Sequence, residues 1–201
     1  MDPRDSLTDP GPPRHRRAAV RRGRPGGFTV IELACVLSVI AVLLGLAMPG
    51  LHALVQHRRL EGLSLQLDAD LQHLRSEAVA RNTALRMRFQ RDALASCYVI
   101  HSGPAGSCTC LPAAGPTCSA GGFALHQARL PMADGVVLHA NVGSMRVDPR
   151  QGTVSPAGSI QLDSASGRAI RHVVNILGRV RTCVPAGAPG VGLVAREACA
   201  S

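Results

Sequence analysis

Residues 28–47 form an unbroken apolar run, Phe-Thr-Val-Ile-Glu-Leu-Ala-Cys-Val-Leu-Ser-Val-Ile-Ala-Val-Leu-Leu-Gly-Leu-Ala, with a single charge at Glu32. As a helix, such a run spans about 30 Å, the thickness of a bilayer's hydrocarbon core. Seven arginines against three aspartates precede it, and no such basic cluster follows at once. That asymmetry keeps the N-terminal side cytoplasmic. Glu32 is the residue out of place. A carboxylate carried to the bilayer centre costs up to about 2.5–3.5 kcal/mol, and such groups generally have a partner. The same helix offers none nearby. A cut between Gly27 and Phe28 would create an α-amine four residues from Glu32. On a neighbouring subunit that amine pairs with the carboxylate, and the buried charge becomes an assembly determinant.

Other readings of the N-terminus fit less well. Residues 1–27 are polar, rich in Pro and Arg, and carry no core-forming pattern. A secretory signal needs a small-residue cleavage site after the apolar run, and Gly45-Leu46-Ala47 is a poor one. A lipoprotein cysteine should follow the run, whereas Cys35 lies near its start. A twin-arginine signal at Arg21-Arg22 lacks the right following context. A plain single-span anchor leaves Glu32 unexplained.

Gly27-Phe28-Thr29-Val30-Ile31-Glu32-Leu33 resembles the processing site of type IV pilins and type II secretion pseudopilins. The resemblance implies that a prepilin peptidase cuts after Gly27 and methylates the new N-terminus, Phe28. Glu32 then takes the fifth mature position, where the class carries its glutamate. Pro49 takes the twenty-second, where the class commonly kinks this helix. The leader of 27 residues is long for the class, and a start at Val20 would shorten it. The expected organisation is a leader at 1–27, a transmembrane and assembly helix at 28–48, an amphipathic stem at 49–83 and a β-rich domain at 84–201.

After Pro49, Leu51, Leu54, Val55, Leu60, Leu63, Leu67, Leu71, Leu74 and Ala78 recur mostly at threes and fours. This is a helix that packs one stripe on a sheet and ends near Asn82. His52, His57 and His73 are expected on its exposed side. Strands are expected at 84–90, 96–101, 123–130, 136–140, 158–163, 169–176 and 179–184, separated by Gly, Pro, Ser and Asp. The fold class is therefore α+β: a long N-terminal helix, half membrane-embedded and half amphipathic, on an antiparallel sheet.

Six cysteines lie beyond the membrane run: Cys97, Cys108, Cys110, Cys118, Cys183 and Cys199. An even set on the far side of a membrane points to disulfides in an oxidising compartment. Zinc is the rival, but Cys108-x-Cys110 is too close for the usual ligand pair and no matching histidine pair follows. Six cysteines allow fifteen pairings. Cys183–Cys199, closing the C-terminal tail, is the preferred bridge.

The stretch Asp68-Ala-Asp-Leu-Gln-His-Leu-Arg-Ser-Glu-Ala-Val-Ala-Arg-Asn82 resembles the helix end of the FimT/GspH subfamily of minor pilins and pseudopilins. So does the pattern Asp148, Gly152, Gly158-Ser-Ile-Gln-Leu162 and Gly178-Arg179-Val180-Arg181. With the processing site, the resemblance covers most of residues 26–183, and residues 91–122 match nothing. It implies one of two systems. FimT-type subunits belong to type IV pili, and some bind DNA during natural transformation through a C-terminal G-R-x-R motif. GspH-type pseudopilins sit in the tip complex of type II secretion.

In an extended segment Arg179 and Arg181 point to one face and Val180 to the domain, while Gly178 permits a tight turn. Two guanidinium groups so placed would grip neighbouring phosphates of double-stranded DNA, with Arg168 and Arg171 extending the patch. The bland alternative is a basic edge strand kept soluble by charge. The main expectation is a FimT-like minor pilin with a role in DNA uptake; the alternative is a GspH-type pseudopilin. Either is anchored once in the inner membrane with a periplasmic domain, joins a pilus or pseudopilus, and has as partners other pilins and the prepilin peptidase. All 22 basic residues are arginine, the formal charge is +9, and aromatics are scarce, which disfavours base-stacking platforms. Eight histidines form no metal or triad motif, and no nucleophile elbow or phosphate loop is present. No enzyme activity, metal or cofactor is expected.

Overall fold

The computed structural model describes residues 27–119, 121–189 and 197–199, and the side chains of these except 46–50, 52 and 53. The expected leader at 1–27 therefore lies outside the described residues except for Gly27. Contacts divide the chain into two compact units, Met1–Leu44 and Gly45–Ser201.

One helix, α1, spans Val30–Ala80. Among the described residues eleven strands follow: β1 (Leu85–Arg91), β2 (Ala95–Ser102), β3 (Cys108–Thr109), β4 (Thr117–Cys118), β5 (Phe123–Pro131), β6 (Val136–Ala140), β7 (Ser144–Val147), β8 (Val154–Ser155), β9 (Gly158–Ser164), β10 (Ala169–Val174) and β11 (Val180–Cys183). They make a five-stranded sheet in the order β5-β2-β1-β7-β8, a four-stranded sheet in the order β11-β10-β9-β6, and a small β3-β4 ribbon. All paired strands are antiparallel.

Within the second unit, Leu60, Ser64, Leu67, Leu71, Leu74 and Ala78 are buried. Their spacing alternates fours and threes, which keeps them on one stripe of the helix. The stripe packs into one core with Met87 and Phe89 of β1, Tyr98 and Ile100 of β2, and Ile160, Leu162 and Ile170 of the smaller sheet. Removing one such leucine side chain costs about 2–5 kcal/mol. The stripe begins at Leu60, not at Leu51 as the periodicity suggested: Leu51, Leu54 and Val55 are each more than half exposed. Helical periodicity records an apolar face; it does not record where the sheet that covers it begins.

Helix α1 ends two residues earlier than expected. Asn82 has φ 46, the left-handed conformation that asparagine tolerates better than most residues. Thr83 N–H reaches back to Ala78 O (3.1 Å) and closes the final turn. The expected strand at 169–176 stops at Val174, because residues 175–178 form a turn closed by Gly178 N–H to Asn175 O (2.9 Å). Strands β7 and β8 were not anticipated; they are short and separated by the Asp148–Gly152 loop.

Every residue of β2 except Ser102 is buried. One face meets the main core. The other is covered by the cysteine-rich loop, where Cys97 and Val99 form a second small cluster with Cys108 and Cys110. Cys97–Cys110 and Cys108–Cys118 fasten that loop, and Cys183–Cys199 ties down the tail. Arg88 on β1 donates to the carbonyls of Gly106 and Cys108, each at 2.8 Å, and Gln90 accepts from Cys110 N–H (2.9 Å). Within residues 91–122, which matched nothing in sequence, β2 is thus an internal strand of the larger sheet, and the described part of the loop that follows it covers the outer face of that strand.

Candidate functional site

Two regions carry the chemistry. The first is the start of α1. Gly27 and Phe28 precede the helix, and both are exposed. Thr29 Oγ1 accepts from Glu32 N–H (3.3 Å), and Leu33 N–H donates to Thr29 O (3.1 Å). Thr29 is therefore the helix cap, and Glu32 stands in the first turn, where the helix dipole favours a negative charge. The sequence carried a signal for this, Thr-x-x-Glu ahead of an apolar run. It was missed because the carboxylate was weighed against lipid and a neighbour's amine, and not against its own helix end. From Phe28 to Leu44 the large apolar side chains are exposed, with Phe28 and Val30 about 85% so. Such a continuous uncovered surface needs a lipid or protein partner. Among the described residues no helix is long and apolar enough to cross a membrane. The side chains of residues 46–50 lie outside the description, so the described apolar stretch is shorter than the run in the sequence. The helical span runs through Pro49, whose side chain is among those outside the description.

The second region lies in the globular unit, between the last turns of α1 and the edge strand β11. A groove of about 1180 Å³ is lined by Asp68, Gln72, Arg75, Ser76, Val79 and Ala80 of the helix and by Asn175 and residues 178–182. Gly178 shapes its rim. Its φ of 71 suits glycine, and a Cβ there would stand 3.0 Å from Gly152 O and 3.4 Å from Arg75 Cδ. Gly152, at φ 62, gives the same clearance, since a Cβ would meet Arg75 Nε at 2.8 Å. The two glycines let the Arg75 side chain lie across both loops.

Arg179 and Arg181 are exposed and line this groove. Val180 pairs with Val174 and packs on the core. Among the described residues Arg75, Arg179 and Arg181 make no ion pair. Arg168 and Arg171 are not brought to the groove. Arg168 sits at the far end of β10 from the 175–178 turn, and Arg171 is held by Gln161 Oε1, which accepts from Nε (3.0 Å) and Nη2 (2.7 Å). Arg75 is the basic residue that sequence reasoning missed. It is over 100 residues away in the chain, on a helix whose arginines were not weighed as part of a basic patch.

Beneath the groove sits His172, fully buried. Its Nε2 shares a hydrogen bond with Ser64 Oγ (2.9 Å) and its Nδ1 one with Thr182 Oγ1 (3.2 Å), so one imidazole ties α1 to β10 and β11. Desolvation lowers its pKa to about 4, with Asp68 opposing the shift. On the other side of the helix Tyr98 donates to Asp70 Oδ2 (2.5 Å). Burial first, and the Asp70 carboxylate second, push that phenol's pKa up. His57, expected on the exposed side, is mostly covered and lies 3.8 Å from the buried carboxylate of Glu61.

A long helix that buries one stripe on antiparallel sheets, continuous with an apolar N-terminal stretch that ends at a single acid, defines a pilin-like subunit. The model of the family described as "Type II transport protein GspH" matches residues 64–178, more than half of the chain. The chain belongs to that family. Among solved structures, the type IV minor pilin FimU of Pseudomonas aeruginosa (strain PAO1) is similar, with 18% identity, a TM-score of 0.45, and coverage of 62% of this chain and 87% of that one. No curated relative matches significantly. The chain is thus a minor pilin or pseudopilin, a class of structural subunits without enzymatic chemistry. Membership implies assembly with other pilin-like chains, an inner-membrane anchor and a periplasmic domain. Of the two readings weighed from the sequence, the family match backs the GspH-type alternative better than the main expectation of a FimT-like minor pilin.

Proposed function

We propose that this chain is a GspH-type pseudopilin of a type II secretion system. The observation that carries this reading is the family match over residues 64–178. On this reading a prepilin peptidase cuts between Gly27 and Phe28 and methylates Phe28. The apolar start of α1 then holds the subunit in the inner membrane until it joins the pseudopilus. Glu32, already favoured at the helix start by the dipole, pairs with the new α-amine of a neighbouring subunit. Pro49 marks the transition from the membrane half to the stem. Deleting the gene should abolish secretion of type II substrates while leaving pili intact, and the native protein should begin at methylated Phe28. Normal secretion together with lost piliation or transformation would reject this reading in favour of the other.

The second reading is a FimT-like minor pilin of a type IV pilus that binds double-stranded DNA for uptake. One observation favours it: Arg179 and Arg181 stand exposed beside Arg75 without acid partners among the described residues. Arginines so placed suit phosphates. Arg179→Ala combined with Arg181→Ala should then remove a salt-sensitive gel shift of duplex DNA and leave the fold unchanged.

A further inference from the structure

We infer that the groove between α1 and β11 holds an extended, acidic segment of a partner polypeptide, bonded through its main chain to the edge of β11. The inference deepens the pseudopilin reading and rests on it for the existence of an assembly partner.

Three observations converge. The first is the edge itself. β11 ends its sheet, with β10 on one side only. Asn175 N–H donates to Arg179 O (3.1 Å), and the register continues through Val173↔Arg181 and Arg171↔Cys183. Bonded pairs alternate along an antiparallel ladder. The amides and carbonyls of Val180 and Thr182 therefore turn away from β10, toward the open edge. Val184 has the same phase, and its main chain already makes an isolated parallel bridge to Ala198. Its N–H donates to Glu197 O (2.8 Å), and its carbonyl accepts from Cys199 N–H (2.8 Å). Among the described residues nothing bonds to the edge groups of Val180 and Thr182.

The second observation is charge. Arg75 reaches in from the helix, and Arg179 and Arg181 from the strand. Among the described residues Asp68 is the one acid of the lining, and its carboxylate already accepts from Gln72 (2.8 Å). Charge on β11 alone would be explained as protection of an edge. Arg75 comes from another element, and that explanation does not cover it.

The third is the apolar share of the surface. Val79 and Ala80 line the groove, and Ile176 and Leu177 at the adjoining turn are 64% and 53% exposed. Phosphates bring only acceptors and charge. An extended peptide brings main-chain donors, acceptors and apolar side chains together, which is what the groove can satisfy. Peptide is therefore favoured over nucleic acid. The volume exceeds that of ordinary small-molecule pockets.

The test uses the full chain in detergent micelles and a dye-labelled short peptide of alternating glutamate and valine, read by fluorescence anisotropy. Three controls accompany it: the same peptide with its amides N-methylated, a peptide with arginine in place of glutamate, and a short DNA duplex as competitor. The acidic peptide should bind, and both control peptides should bind at least about tenfold more weakly. Arg75→Glu with Arg181→Glu should weaken the acidic peptide by at least about tenfold. Val180→Pro, which removes an edge N–H without breaking the β10 ladder, should do the same. The N-methylated peptide reaches the same conclusion without relying on a variant that folds. Equal binding of the methylated and unmethylated peptides, absence of binding, or displacement by duplex DNA at lower concentration would each overturn the inference. Any of these with secretion still dependent on the gene would leave the pseudopilin reading standing; secretion independent of the gene would remove that reading instead.

Discussion

Ser64 on α1 and His172 on β10 share a hydrogen bond of 2.9 Å at a point where neither residue is exposed to solvent. The bond fixes the stem helix to the smaller sheet, and Thr182 completes it from β11. Because the imidazole is neutral and desolvated in the fold, the contact is sensitive to acid.

The folded pKa of His172 lies near 4, below the ordinary value of 6.5. In the window between them the unfolded chain binds a proton that the native chain does not, so stability rises with pH. The contribution is fully present above about pH 6.5 and is lost as pH falls toward 4. Denaturant titrations of the full chain should show a loss of about 3 kcal/mol across that window. His172→Gln should lower stability at neutral pH and flatten this part of the profile.

The Cys183–Cys199 bridge holds the described end of the tail against Val184. Replacing both cysteines by serine releases a loop with a sequence separation of 16. A loop of that size corresponds to about 3 kcal/mol in the chain-entropy picture. The paired variant should unfold at correspondingly lower denaturant. Unchanged stability would mean that the bridge closes a segment the fold does not otherwise need.

Glu32 and Thr29 separate capping from assembly. Thr29→Ala removes the cap and should cost about 1 kcal/mol of local helix stability, with the subunit still incorporated into fibres. Glu32→Gln keeps the cap and should abolish incorporation while leaving the domain's unfolding transition in place. Cross-linking of native fibres and denaturant titration provide the two readouts. Equal incorporation of Glu32→Gln and the parent would contradict the proposed pairing with a neighbour's amine.

Gly178→Ala forces a side chain into a left-handed turn and against Gly152 O at 3.0 Å. It should destabilise the protein by more than about 1 kcal/mol, since the Gly152 carbonyl belongs to the backbone and a side chain at positive φ is strained whatever the space. Gly152→Ala is also at positive φ, but its nearest neighbour is the flexible end of Arg75. Its stability cost should be the smaller of the two, and its main effect should be to displace Arg75 from the groove. Thermal unfolding of the pair tests this order.

Local chemistry wrote much of this protein into its sequence. The apolar run, its lone acid, the leucine stripe and the approximate positions of the longer strands are all periodic or compositional signals. They depend on side-chain solubility and on the repeats of helix and strand, which need no knowledge of the rest of the chain. Short strands such as β7 and β8 carry too few residues for a period to register. The coverage of β2 by the cysteine loop was not legible either, because it depends on which of fifteen pairings forms. Tertiary structure alone decided that Arg75 would meet Arg179 and Arg181, that His172 would be buried against Ser64, and that Arg168 and Arg171 would lie elsewhere. Those relations join residues far apart in sequence, and only the register of β10 against β11 and the packing of α1 on the core bring Ser64 to His172 and place the three arginines around one groove.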